Sequence, residues 1–328
     1  MRKCLNLVVK LLAVVLIIVF LLELSFRYYI LDFYQPELMA LNSLSSSPDD
    51  EWPNVLFFGD SFTANADSYV GKLRIELQAN LINSAVPGTG VIEASFMAPS
   101  RIKEYTPDIL VCQVYLGNDL LDIKHRTTDD IPFLRAVYHS VSDYLRVVKF
   151  VNYRLAHARL NYHNTLHSPI AQTDMAFSPE LYSARQRMLF QAEPKHLENV
   201  LELKNGRDED LKTMIHRITQ IKSLVSENTE VALLLIPHCA QVNQTYFQRM
   251  GLLGSESKQV TNPGIYTALV SEFPDVDILD VRSLFQSQIS AGQGLYYEND
   301  PHLNNKGQSV LAEFMMNYLQ AKIQASKD

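Results

Sequence analysis

Cysteine is almost absent. Cys4, Cys112 and Cys239 are the only three in 328 residues, too few and too scattered for a disulfide framework or a zinc site. Cys4 precedes an apolar segment and Cys112 falls inside an apolar run that reads as a strand. Buried free thiols are therefore expected, with a Cys112–Cys239 bridge as the alternative. Excess positive charge is lacking too: 29 Lys and Arg against 36 Asp and Glu leave a net charge of −7. Binding a phosphate backbone needs concentrated cations, which argues against a nucleic-acid partner. No long run of either sign occurs, so the acidity reports a solvated surface. Internal repeats and low-complexity tracts are also missing. His163 and His167 stand four apart, but Asn164 follows the first, where a zinc-protease helix needs its acid. No metal and no cofactor are expected.

What is present is an ordinary globular composition, 47% hydrophobic and 20% charged, able to bury a full core. The length suits one large α/β domain with additions, or two modest domains. The N-terminus is the most distinctive stretch. After Arg2 and Lys3, an apolar segment runs from Leu5 to Phe26, broken by Asn6, Lys10, Glu23 and Ser25. As a helix its 22 residues span roughly 33 Å, enough to cross a hydrocarbon core. Lys10 lies close enough to one end to snorkel. Arg2, Lys3 and Lys10 outweigh Arg27, which favours a cytoplasmic N-terminus and a remainder outside, on the periplasmic side. A cleaved signal peptide is the rival, because Leu11 to Leu22 has the length of its apolar core, and a buried soluble helix is a third reading. Leu22-Glu23-Leu24-Ser25-Phe26-Arg27, however, offers no small-x-small cleavage site. The expected organisation is an anchor over 1–30, a linker over 31–50 with its Ser-Ser-Ser-Pro-Asp-Asp, and an enzyme body over 51–328. Tyr28 to Tyr34 is aromatic-rich, as suits a membrane–water interface.

From Glu51 onward, strands and helices alternate. Val55 to Phe58, Leu81 to Asn83, Ile109 to Tyr115, Val231 to Ile236 and Val276 to Val281 read as strands. Ser68 to Gln78, Val91 to Lys103 and Asn304 to Ile323 have helical spacing. This pattern predicts an α/β three-layer sandwich with a parallel, flavodoxin-like sheet. A departure from it, about 122–207, is rich in Tyr, His and Arg and includes helical stretches such as Arg135 to Leu160. Its length predicts a helical insertion that caps the site.

Four blocks fall at the ends of strands or just before the last helix, where open α/β sheets place ligands. They are Gly59-Asp60-Ser61-Phe62, Asn83-Ser84-Ala85-Val86-Pro87-Gly88, Gly117-Asn118-Asp119 and Asp300-Pro301-His302-Leu303-Asn304. Together they supply what ester chemistry requires. A serine hydroxyl is a poor nucleophile until an imidazole accepts its proton. The imidazole needs its other nitrogen held to fix the tautomer, and the tetrahedral oxyanion needs preorganised donors.

In this order the blocks resemble those of the SGNH/GDSL hydrolase superfamily, over Val55 to Leu319 apart from the insertion. The resemblance implies Ser61 as nucleophile, His302 as base and Asp300 as its partner. It also implies oxyanion donors at the Ser61 N–H, Gly88 and Asn118, with an ester or acylated glycan as substrate. Two departures are visible. The third block reads Leu-Gly-Asn-Asp, with glycine adjacent to asparagine. The last is Asp-x-His where many members have Asp-x-x-His, and Asn299 fills that other position. Asp-x-His resembles the branch of membrane-tethered polysaccharide O-acetyltransferase-like proteins.

Blander readings stand beside these. Ser61 also suits a helix N-cap, Gly88 and Asn118 suit turns, and Asp300-Pro301 could simply start the last helix. His238, just after a strand, is the rival histidine. Glu51, Asp60 and Asp119 are either supporting groups or solvated acids. The leading expectation is an esterase working through an acyl-serine. The alternatives are an O-acyltransferase acting on a glycan, or a scaffold that binds polysaccharide or an assembly partner without catalysis.

Overall fold

Short apolar runs bounded by Gly, Pro and Asn become the strands of one sheet. The computed structural model describes residues 2–31, 34, 38, 49–64, 66–123, 141, 144–151, 154–155, 172–173, 175–260 and 263–325. The chain falls into two units, Met1–Gln35 with Arg126–Ser168, and Pro36–His125 with Pro169–Asp328. Most of the expected linker, most of Arg135 to Leu160, and both His163 and His167 lie outside the described residues.

The larger unit is built on β1 (Asn54–Phe58), β2 (Asn80–Asn83), β3 (Ile109–Tyr115), β4 (Glu230–Ile236) and β5 (Asp277–Asp280). The order is β2-β1-β3-β4-β5 and every neighbouring pair is parallel. That is the flavodoxin-like order of a doubly wound fold, as the alternation of elements predicts. Side chains alternate between faces along a strand, so β1 serves two cores at once. Val55 and Phe57 join Val111, Leu234 and the apolar side of helix Asn305–Ala325, where Leu311, Met315, Leu319 and Ile323 recur at helical spacing. Leu56, Phe58, Leu110 and Cys112 are equally buried and point the other way. Helices Val91–Tyr105 and Arg207–Lys222 pack against each other in this unit, the former also against β1.

Helix boundaries follow local chemistry. Val91–Tyr105 starts where Glu93 accepts the Gly90 N–H at 3.1 Å, and stops at Thr106, whose φ is +37°; Pro107 cannot continue it. The helix expected over Ser68 to Gln78 is shorter, Tyr69–Leu73. Arg74 to Glu76 turn instead, because the chain must straighten by Asn80 to enter the edge strand β2. Cys112 and Cys239 are buried free thiols, each pushed up to about 12 chiefly by burial.

In the smaller unit, Arg2–Arg27 is one helix, and Asn6–Arg27 is long and apolar enough to cross a membrane.

Candidate active site

β1 has neighbours β2 and β3 on its two sides, so the chain turns opposite ways after β1 and after β3. The crevice at their C-terminal ends is the topological switch point. Ser61 follows β1, Gly88 follows β2 and Asn118 follows β3, and all three line one cleft of about 970 Å³ together with His302.

The Ser61 turn is fixed from below. Gln113, buried on β3, accepts the Asp60 N–H and the Thr63 hydroxyl through its Oε1, each at 3.0 Å. Gly59 has to be glycine here: a Cβ would stand 2.6 Å from Gln113 Oε1 and 2.7 Å from Thr63 Oγ1. Asp60 Oδ1 accepts the Phe62 N–H at 2.8 Å, and the Asp60 carbonyl accepts from Thr63 and Ala64. Asp60 is therefore a buried builder of the turn. Gln308 ties the turn to the last helix, donating to the Phe62 carbonyl at 3.1 Å and accepting the Tyr69 N–H at 2.8 Å.

Ser61 Oγ lies 2.7 Å from His302 Nε2. Across the ring, His302 Nδ1 is bonded to Asp300 Oδ1, which also accepts the His302 backbone N–H at 2.9 Å. Nδ1 thus carries the proton shared with the carboxylate, leaving the Nε2 lone pair toward the serine. The Phe62 ring stacks on the imidazole at 4.8 Å and meets the Tyr115 ring at a tilt, 4.3 Å away, so the imidazole plane is held as well as its edges. The phenols of Tyr115 and Tyr182 and the Cys239 thiol, all electrostatically linked to Asp300, are raised chiefly by burial and stay neutral.

Asn299 explains the shortened spacing of the last block. Fully buried, it points away from His302: its Oδ1 accepts the Ser178 N–H at 2.8 Å, and its Nδ2 donates to the carbonyls of Met175 and Ala176 at 3.1 and 3.0 Å. Its own carbonyl accepts the Ser183 N–H at 2.9 Å. One residue straps the 175–183 segment to the loop, and its neighbour holds the histidine. Asp300-Pro301 does not start the last helix; Asn304 does, accepting the Gly307 N–H at 3.0 Å.

Gly88 adopts φ +75°, the left-handed region that favours glycine. Asp119 is buried and its Oδ2 accepts the Tyr115 N–H at 2.8 Å, closing the turn that carries Asn118. Glu51 is exposed and its N–H donates to Asp49 Oδ1, with no part in the cleft. The later part of the insertion walls the cleft through Gln172, Ser183 and Gln186. Buried Arg207 braces that wall, bonding Glu193 at 2.6 Å and Asp210 at 2.7 Å.

No family model and no curated protein matches this chain. Solved structures resemble it in shape only distantly. An acetyl xylan esterase shares 13% identity at a TM-score of 0.43, over 81% of this chain and 98% of its own. A catalytic mutant of an acetylxylan esterase from Geobacillus stearothermophilus shares 14% at 0.40, over 83% and 94%. An alpha/beta hydrolase from the metagenome of Lake Arreo shares 14% at 0.37, over 83% and 95%. Likeness of this degree says nothing of this chain's substrate.

Sequence reasoning missed Gln113, Gln308, the strap made by Asn299 and the Phe62–Tyr115 contact. Phe62 was visible as part of its block. The two glutamines carry no local signal, because each acts on a partner far along the chain.

Proposed function

We propose that this chain is a serine-dependent ester hydrolase. The observation that carries the reading is the line Ser61 Oγ, His302 ring, Asp300 carboxylate, with 2.7 Å between Ser61 Oγ and His302 Nε2. In the first step the Ser61 proton passes to His302 Nε2 as Oγ attacks the ester carbonyl carbon. Negative charge collects on the carbonyl oxygen. The Ser61 N–H, Gly88 and Asn118 are its donors, each worth about 3–4 kcal/mol of barrier. Collapse of the tetrahedral intermediate expels the alkoxide, which takes the proton from Nε2 and leaves an acyl-serine. Water then attacks the acyl carbon, His302 again accepting a proton, and Ser61 is restored.

Water is the favoured acceptor because the His302 side chain is 30% exposed, whereas acyl transfer needs a site that excludes water. Asp67, Ser68, Asn118, Gln172, Gln186 and Asn305 on the cleft walls suit a hydroxyl-rich ester carrier such as an acylated glycan better than a long alkyl chain. The helix Arg2–Arg27 anchors the chain, residues 31–50 link it to the enzyme body over 51–328, and its flanking charges put that body outside the cytoplasmic membrane.

The test is the detergent-purified chain assayed on acetyl and longer-chain nitrophenyl esters, with and without a glycan acceptor. Acetate release that is lost in a folded Ser61→Ala variant supports the reading. Acetyl appearing on the glycan instead of as free acetate replaces hydrolysis by transfer. Unchanged release in Ser61→Ala overturns the reading.

A further inference from the structure

The smaller unit contains more than a membrane span. Glu23 lies one turn inside the end of helix Arg2–Arg27, where an unpaired carboxylate in hydrocarbon is costly. Both of its oxygens are engaged. Oε1 accepts the Arg27 Nε–H at 2.7 Å, and Oε2 accepts the backbone N–H of Val147 at 2.9 Å. Val147 belongs to the insertion, and its neighbours hold the same helix end. Arg146 donates to the Phe26 carbonyl at 2.6 Å, Arg27 donates to the Tyr144 carbonyl at 3.0 Å, and the Phe150 ring lies 5.0 Å from Phe26. Residues 144–150 are therefore fixed at the Arg27 end of the span.

This stretch is two-sided. Residues 141, 144, 146–151, 154 and 155 are helical. Val147 and Phe150 face the N-terminal helix, whereas Val141, Tyr144, Val151 and Leu155 are 42%, 77%, 46% and 56% exposed. At helical spacing these four fall on one side, with Leu145 lying outside the helical residues. Just past the span's end Tyr28 and Ile30 are exposed as well. Lys149 and Arg154 flank the stripe, Arg146 lies on the opposite side, and Asp143 is the only acid between Val141 and Leu155. Two of these guanidiniums lie over rings, Arg146 over Tyr29 and Arg154 over Phe150, each at 5.1 Å.

Water suits the cations but not the apolar stripe, and the stripe is held at the end of a helix long and apolar enough to cross a membrane. The headgroup layer of a bilayer accommodates both: apolar side chains sink about 5–10 Å toward the acyl chains while cations meet phosphate. We propose that the described residues between Val141 and Leu155 lie in the headgroup layer of an anionic phospholipid membrane. Their Val141, Tyr144, Val151 and Leu155 stripe is directed to the acyl chains, with Lys149 and Arg154 at the phosphates. The proposal rests on the reading of Arg2–Arg27 as a membrane span. It divides the insertion expected as a single cap into two roles, an early membrane collar and a late wall of the cleft.

The test uses the full chain with Trp52→Phe, reconstituted in vesicles of phosphatidylcholine and phosphatidylglycerol. Either Tyr144→Trp or Leu16→Trp is added as the fluorescent reporter, and some phosphatidylcholine is brominated near the headgroup or near the chain ends. The Tyr144→Trp reporter should lose about half its emission to headgroup-proximal bromine and little to the deep label, as a shallow interfacial residue does. Adding Val151→Asp and Leu155→Asp should shift its emission to the red and remove the quenching. Leu16→Trp should be quenched by the deep label. If Leu16→Trp is quenched while Tyr144→Trp is not, the collar is wrong and the span stands. If neither is quenched, both fall. Blue-shifted Tyr144→Trp emission without quenching means that protein covers the stripe, a second copy included, and overturns the proposal.

Discussion

His302 and His238 both sit on the cleft side of the sheet, one in the loop before the last helix and the other directly after β4. Their hydrogen bonds give them opposite tautomers. His302 donates from Nδ1 to Asp300 and presents Nε2 to Ser61, with its ring partly open to solvent. His238 accepts the Ala240 N–H on Nδ1 at 3.1 Å, capping the helix Cys239–Val242, so its proton sits on Nε2. Its ring is fully buried, and burial, with His196 as a second cause, pushes it down to about 3. A ring that is buried, capping and averse to protonation cannot serve as a base for a solvent-facing serine. The contrast teaches that a histidine's role is set by what holds its far nitrogen, which position along the chain does not reveal.

The sharpest way to break the contrast is to remove each ring. His302→Ala and Ser61→Ala should each lower kcat/KM on an activated ester by about 10⁴-fold or more, and the double variant should be little worse, since the pair acts as a unit. Activity retained in folded His302→Ala but lost in His238→Asn would reverse the assignment. Next in size is Asp300→Asn, which keeps the shape but leaves the imidazole in the wrong tautomer; a loss of ~10³–10⁴ is expected. A loss of about tenfold or less, ~1.4 kcal/mol of barrier, would reduce the arrangement to a Ser–His dyad. Asn299→Ala removes three buried hydrogen bonds from the strap and should cost about 2–3 kcal/mol of stability. Its effect on kcat/KM should be smaller than that of Asp300→Asn, because Asp300 keeps its own bonds.

The smallest effect concerns His238 itself. His238→Asn keeps an N-cap acceptor for Ala240 and should leave kcat/KM within about threefold, since no transition-state contact is lost. Its signature lies in acid stability. His196 and His238 are pushed down to about 4 and about 3 by burial, while in the unfolded chain each takes a proton near pH 6.5. Between those values the unfolded state binds more protons. Stability is therefore full above about pH 6.5 and falls as pH drops, by ~1 kcal/mol per unit for each ring. Urea midpoints at pH 7 and pH 5 should show that slope, and His238→Asn should remove about half of it. An unchanged slope would mean that His238 takes up its proton in the folded state.

The fold was legible because its signals are local: β3 begins and ends where its apolar run does, and the other strands differ by a residue or two. Ser61, Gly88 and Asn118 stood out because strand ends in an open sheet converge on one crevice, and Asp300 and His302 because their block completes the resemblance. Gln113, Gln308 and Asn299 were not legible. Each is a buried amide whose partners lie 50 or more residues away, and nothing at a glutamine or asparagine position marks such a pairing. The early part of the insertion was not legible for a related reason. A stretch whose apolar residues are exposed reads like any helix until its partner, the N-terminal helix, is beside it.

The central claim is that His302 activates Ser61, and a fluorophosphonate tests it most directly because it reacts only with an activated serine. The full chain is treated with the probe, and the adduct is mapped by peptide mass. The expected result is a single adduct on Ser61, absent in Ser61→Ala and formed at least ~10³-fold more slowly in His302→Ala, since an unassisted hydroxyl is a weak nucleophile. Labelling of a different residue, or of Ser61 at an undiminished rate without His302, would contradict it.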